Sequence, residues 1–494
     1  MKNNYPMDMQ AVEGYQRIIY RQLLADVGLE EDYDSEVQFT GPLDPFVDSP
    51  YYLGEGFAAL AGAVGMANSI IWRMRGGKGQ KIMVDRQKCM YHLYRMQFLR
   101  QNGYRVLLSA PFKHTGMTHR CKDGRFIETL TTFRHLEDGM LALLDCINTK
   151  EAVDAAFMKW NSFELEEEIN KRGLCGAVVR SKKEWREHPQ GKALLGIPVI
   201  TIEKIADSEP ISFKRADRPL RGVRVLDLAH IIAGPTMGNI LAEQGADVLH
   251  INPPNHEQIL TNIMDTGWGK LSAYLDLNDP SDVTKFNGLI KDNCDVFIQS
   301  YRPDALNNRG FTPEKMAEIR PGIIWVDVSA YGHVGPWAGR KAWENIAQAC
   351  TGITVDQGSI DSPMLTPGFL ADYSTGYFAA LGVLAALIRR AREGGSYHVR
   401  VSLARGCMWY QDLGYVPQAE RANYKGDLQQ AIQRCLNPRI GDGFNDYVEL
   451  LETDTPFGRL THMAPLIKYS KTLGYWERPT VPLGYHCAEW PSSK

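Results

Sequence analysis

From Arg218 onward the chain alternates short apolar runs with amphipathic ones, and this alternation constrains the fold more than any other feature. "RPLRGVRVLDLAHIIAGPTMGNILAEQGADVLHIN" reads as an apolar strand, a Gly-Pro turn, an amphipathic helix and a second strand. The pattern continues with "KLSAYLDL" as a strand, "PSDVTKFNGLIKDN" as a helix, "CDVFIQSY" as a strand, "TPEKMAEIR" as a helix and "GIIWVDVSAYG" as a strand. Strands separated by helices pair in parallel, so the fold class is α/β: a Rossmann-like, doubly wound parallel sheet. The stretch before it, 30 to 217, mixes both periodicities and predicts a smaller α+β domain.

A second feature is a helix written twice. "FLADYSTGYFAALGVLAALIRR", residues 369 to 390, and "SPYYLGEGFAALAGAVGMANSIIWRMR", residues 49 to 75, share a glycine followed by an Ala-Ala-Leu core. Each runs into a basic end, a Gly-Gly pair and a strand. Two copies indicate partial duplication of one unit, since a solenoid needs at least about three. Aligned on the shared core, Tyr52 stands where the second copy has Asp372. Read locally, Asp372 is a helix N-cap, a position worth about 1 kcal/mol through its bonds to free N–H groups. The apolar stretches within the two copies, 57 to 72 and 377 to 388, are too short or too interrupted for a bilayer, which needs about 20 residues. They are expected as buried helices.

Composition narrows the function classes. A net charge of -3 over 494 residues gives no basic field for nucleic acid or an anionic membrane, so neither is expected as a partner. Nine cysteines without a CxxC pair or Cys/His cluster support neither a disulfide framework nor a metal site. The first residues, "MKNNYPMDMQAVEGYQ", lack the basic flank and apolar core of a signal peptide, and a cytoplasmic location is expected. The turn "HIIAGPTMG" lies past the first strand, where open α/β sheets bind ligands, and the helix start after it could hold a phosphate. It is neither a G-x-G-x-x-G fingerprint nor a P-loop.

Four motifs taken together carry a resemblance. "RPLRGVRVLDLAHIIAGPTMGNILAEQGADVLHI", "IQSYRPDALNNRGFTPEKMAEIRPGIIWVDVSAYGHVGPWAG", "WENIAQACTG" and "ADYSTGYFAALGVLAALIRR" occur in that order between about 218 and 405. In this the chain resembles the family III CoA-transferases of the carnitine and formyl-CoA transferase type. Residues 120 to 205 resemble the family's small domain, which normally follows the Rossmann-like part and here precedes it. The resemblance implies a rearranged order: an extension at 1–40, the helix-strand junction and small α+β domain at 41–215, the Rossmann-like CoA-binding domain at 216–410, and a connector and tail at 411–494.

What the resemblance implies about chemistry centres on Asp372. In the family an aspartate attacks the thioester carbonyl of an acyl-CoA, CoA thiolate leaves, and the mixed anhydride is resolved by an acceptor acid and CoA. Asp372 holds that position. His230, Ile232 and Ala233 would border the CoA arm, Arg302 of "SYRPDAL" matches an arginine of the family's Phe-Arg-Pro-Gly motif, and Lys270 matches a basic position before the third strand. Coenzyme A thioester is implied as substrate with no tightly bound cofactor, a small carboxylic acid as co-substrate, and a homodimer as the assembly.

The sequence also departs from the pattern. Asn252 in "INPPNHEQ" replaces a carboxylate, and the family's glycine-only loop is not recognisable. Racemases of the same fold use a His and an Asp as an acid/base pair, but their Gly-His-Asp motif aligns with "AWEN", which puts Trp343 where the His belongs and Glu344 where the acid follows. A racemase, a lyase acting on an acyl-CoA, and a non-catalytic CoA-binding protein are the alternatives.

Overall fold

The structure is a computed structural model that describes residues 9–41, 43, 47–106, 113–421 and 448–491. Its largest sheet has seven strands. The order across it is Lys270–Tyr274, Asp247–Asn252, Arg224–Asp227, Val296–Gln299, Ile324–Ser329, Ser396–Ser402 and Thr201–Ala206. The first six are mutually parallel and the last is antiparallel. The chain therefore starts in the middle of the sheet, winds to one edge, returns and winds to the other, which is the doubly wound order. All five strands expected from the alternation are present. The sixth continues from the second copy of the repeated helix, and the seventh is donated from the segment ahead of the Rossmann-like part.

The two copies of the repeat fold alike. Leu53–Met74, Lys81–Asp85 and Arg86–His92 form helix, strand and helix; Leu370–Glu393, Ser396–Ser402 and Leu403–Asp412 do the same. The two long helices pack on each other, with Phe57 edge-on to Tyr377 at 4.8 Å between ring centroids. Both are longer than their apolar runs suggested. At 22 and 24 residues they reach the length and apolarity that could cross a bilayer, which corrects the expectation that they were too short. As expected they are buried, and each spends its apolar surface on the other and on neighbouring strands.

Their basic ends have structural partners. Arg75 caps the early helix and donates to the carbonyls of Pro219 at 2.6 Å and Arg221 at 2.7 Å, tying the segment that leads into the first parallel strand. Arg390 near the end of the late helix pairs with Asp295 at 2.8 Å.

Ahead of the large sheet, Thr118–Arg120, Phe126–Thr129 and Gly176–Val178 make a three-stranded antiparallel sheet backed by the helices Arg134–Leu144, Lys150–Phe157 and Ser162–Lys171. A separate core of Phe133, Leu136, Met140, Phe157 and Ile169 holds it together. The tail does more than cover a surface. Lys468–Tyr469 pairs with the early copy's strand, and Gly458–Met463 pairs with Arg100–Gln101, so the last part of the chain is woven into the first.

Candidate active site

The sheet order reverses between the strands Arg224–Asp227 and Val296–Gln299, and the crevice beyond their carboxyl ends is where such sheets take ligands. His230 and Tyr301 extend from these two strands and meet there: His230 N–H donates to Ser300 Oγ at 2.9 Å, and the His230 Nε2 is hydrogen-bonded to the Tyr301 hydroxyl. A cleft of about 370 Å³ opens at this point, lined among others by His230, Ile232, Ala233, Arg302, Trp343 and Asp372. Five of the six residues singled out from the sequence thus share one cleft.

The floor of the cleft is a helix start. The sequence suggests a Gly-Pro turn at 234 and 235, but Ala233–Glu243 is already helical there, with Ile232 as N-cap. Proline is tolerated in a first turn because its missing N–H has no partner to lose. Ile231, just before, sits at φ of +70°, a left-handed conformation unfavourable for a β-branched residue. Such strain persists only where the surroundings over-determine it, and it is concentrated at functional sites. The free N–H groups of Ala233 and Gly234 and the positive end of the helix dipole belong to the same cleft wall.

Asp372 comes to this wall because of glycine. The late helix crosses Ala233–Glu243 so closely that a Cβ on Gly376 would meet the Ala233 carbonyl oxygen at 2.7 Å. Gly376 lies one turn beyond Asp372, on the same face of the helix. The close crossing therefore presses Asp372 toward the helix start at Ala233. The local reading of Asp372 as N-cap does not hold: Phe369 is the N-cap, and Asp372 is the third helical residue. Its carboxyl is 7% exposed, and burial raises its pKa to about 7.

Beside it stands a second buried acid that local sequence reasoning did not pair with it. Glu344 opens the helix Glu344–Thr351, and its Oε1 accepts the Ala371 N–H at 2.9 Å and the Gln348 amide at 2.8 Å. Burial, and then the neighbouring Asp372, push its pKa well above the carboxylate range. A proton on Glu344 leaves Asp372 free to ionise near neutral pH, because two adjacent buried carboxyls do not both carry charge. The only trace in the sequence is the alignment of "AWEN" with a racemase acid.

Two consequences concern pH. A carboxylate attacks a carbonyl only when ionised, so any activity that depends on Asp372 in that form is expected to rise as pH increases through about 7. The change Glu344→Gln is expected to leave that limb within about half a pH unit of its place, because the carboxyl replaced is already uncharged there. Initial rates from pH 5 to 9 check this; a limb displaced downward by a full unit or more shows that an ionised Glu344 was repelling Asp372.

His230 is held neutral. Burial, then the nearby His256 and His250, bring its pKa down to about 3. Its ring stacks on His256 at 4.9 Å, and the Gln258 amide nitrogen bridges its Nδ1 at 3.3 Å and the side-chain Oδ1 of Asn252 at 3.2 Å. Asn252, which replaces a carboxylate of the family pattern, is thus a buried hydrogen-bond partner. Arg302 lies on the exposed side of the cleft, before the short helix Pro303–Asn307.

Lys270 is placed elsewhere. It is 2% exposed, its Nζ reaching Asp227 Oδ2 at 2.8 Å and the Pro235 carbonyl at 2.7 Å. It lines a small enclosed cavity behind His230, shared with His250 and Ser272, and not the cleft that contains Asp372. Among the described residues no group of acidic, His and Cys side chains could hold a metal ion.

The arrangement is that of a doubly wound α/β protein with a buried carboxyl pair in its switch-point cleft, and it can be set beside known proteins. Residues 220–438 match the model of CoA-transferase family III. The chain is 32% identical over 319 residues to the acetyl-coenzyme A transferase nodX of Hypoxylon pulicicidum, covering 59% of this chain and 53% of that protein. It is 30% identical over 379 residues to an acyl-CoA transferase of Gibberella moniliformis, covering 68% of this chain and 65% of that protein. The chain therefore spans between about half and two thirds of the length of these curated relatives. A solved CAIB/BAIF family protein from Brucella suis aligns with 23% identity and a TM-score of 0.36, covering 49% of this chain and 65% of that one.

Proposed function

We propose that the protein transfers coenzyme A between an acyl-CoA thioester and a carboxylic acid, with Asp372 as nucleophile. The observation that carries this reading is the buried Asp372, partnered with a protonated Glu344, at the switch-point cleft of a family III domain.

The step sequence balances without a proton donor. An Asp372 carboxylate oxygen attacks the thioester carbonyl carbon; the C–S bond breaks and its electron pair leaves on sulfur as CoA thiolate, giving a mixed anhydride. The thiolate attacks the aspartyl carbonyl, which releases the donor acid and leaves an aspartyl-CoA thioester. The acceptor carboxylate attacks that thioester and expels thiolate, and thiolate attack on the acceptor's carbonyl regenerates Asp372. Each attack develops negative charge on a carbonyl oxygen, which the free N–H groups at the Ala233 helix start are suited to stabilise. No general base is needed, in keeping with Trp343 at the position where racemases carry a His. His230, Ile232, Ala233 and Arg302 are assigned to the CoA arm, the last offering a guanidinium for a phosphate.

The experiment is exchange. The protein is mixed with a panel of acyl-CoAs and isotopically labelled carboxylic acids, and the thioesters are resolved by chromatography. Labelled acid appearing as CoA thioester supports the reading. Loss of thioester to free acid and CoA without exchange, or inversion of a 2-methylacyl-CoA, overturns it.

A further inference from the structure

We propose that the cleft selects uncharged, apolar acyl groups: the acyl chain of the thioester packs on an aromatic and aliphatic wall beside Asp372, and donors ending in a second carboxylate are rejected. This rests on the CoA-transfer reading and names the substrate class for it.

The wall comes from four separate parts of the chain. Trp343, which immediately precedes Glu344, lines the same cleft as Asp372. Phe133, from the small domain, packs on it with ring centroids 5.4 Å apart. Leu136, Ile232 and Leu403 line the same cleft. An alkyl chain laid here gains roughly 0.8 kcal/mol per buried methylene, whereas a terminal carboxylate laid on the same wall would lose its hydration.

Arg340 and Lys341 also line the cleft, and each is held toward its small-domain side. Arg340 grips both oxygens of Glu167, at 2.8 and 2.7 Å, and Lys341 Nζ donates to the Gly173 carbonyl at 2.8 Å. Both partners belong to the helix Ser162–Lys171 and the turn after it, which draws these charges to the small-domain rim of the cleft. No cation is among the groups that act on Asp372 or Glu344. Arg302, which also lines the cleft, lies on its exposed side, where the CoA arm is proposed to run, and Arg340 keeps one nitrogen, Nη1, without a hydrogen-bond partner at the small-domain rim.

The test uses two donors of equal chain length, butyryl-CoA and succinyl-CoA, which differ in a terminal methyl against a terminal carboxylate. Hydroxylamine traps the activated Asp372 as a hydroxamate that mass spectrometry locates, so the readout needs no knowledge of the acceptor. Trapping at least about tenfold faster with butyryl-CoA is expected, a ratio in the range that one apolar pocket contact can supply. The variant Trp343→Arg, which sets a cation into the wall, is expected to cut that ratio by at least about tenfold. Equal or faster trapping with succinyl-CoA on the unaltered protein overturns the inference and leaves CoA transfer standing. No hydroxamate at Asp372 with any thioester overturns the CoA-transfer reading, and the inference with it.

Discussion

Asp372→Asn is expected to lower CoA transfer by on the order of 10³-fold or more, and at the same time to make the protein more stable at alkaline pH. The first effect follows from removing the only nucleophile assigned to the step. The second follows from linkage. The carboxyl has an ordinary value of 3.8 when exposed and about 7 when buried in the fold. The folded state therefore binds this proton more tightly than the unfolded state, and stability falls as pH rises from about 4 through 7. Asparagine carries no such charge. With 1.36 kcal/mol per pH unit, the variant's advantage over the unaltered chain is expected to grow by about 4 kcal/mol between pH 4 and pH 8. Urea unfolding at the two pH values measures it. An advantage that does not change with pH would show that Asp372 ionises as freely in the fold as in water, and surviving transfer would remove it from the mechanism.

Lys270→Met is expected to cost about 3–5 kcal/mol of stability, because it leaves Asp227 ionised and fully buried with its nearest cation gone. The ammonium closes on Asp227 at 2.8 Å and on the Pro235 carbonyl at 2.7 Å, so one side chain ties two strands to the helix that floors the cleft. Asp227→Asn made together with Lys270→Met is expected to recover much of the loss, since the two residues form one unit and their effects are not additive. Urea midpoints of the two single variants and the double variant give the coupling. CoA affinity of the folded fraction distinguishes the roles. A variant that stays as stable as the unaltered chain but loses CoA would place Lys270 in the ligand contact that the resemblance implied.

Much of the fold was legible because its signals are local. Five strands of the parallel sheet each lie in a mainly apolar run, and helices between them open on caps such as Asp279 and Thr312. The edge strand Thr201–Ala206 was not legible as part of that sheet. It pairs antiparallel, it comes from a segment that reads as part of another domain, and nothing in its own pattern specifies the partner. At the site the division is the same. Asp372 announced itself at the head of a small-residue helix, and its neighbours in the cleft sit in motifs near strand ends. The start of the helix was misjudged by three residues because Phe369, Leu370 and Ala371 carry no capping chemistry, so the first polar residue was taken as the cap. Glu344 lies 28 residues earlier in the chain, and the pair exists only because two helix starts meet. Lys270 looked like a strand-end cation able to reach a ligand; only the packing shows that its charge is already answered by Asp227.

The mutual burial of the two long helices sets a problem for synthesis as well as for stability. The early helix, Leu53–Met74, leaves the ribosome more than three hundred residues before the late helix, Leu370–Glu393, that covers it. At 5–20 residues per second that is a wait of roughly 15–60 s. During it the nascent chain exposes a segment long and apolar enough to be read as a membrane span. A truncation ending before Leu370 would keep the early helix and lose its cover, so it would sort to membranes or aggregates instead of yielding a smaller soluble domain.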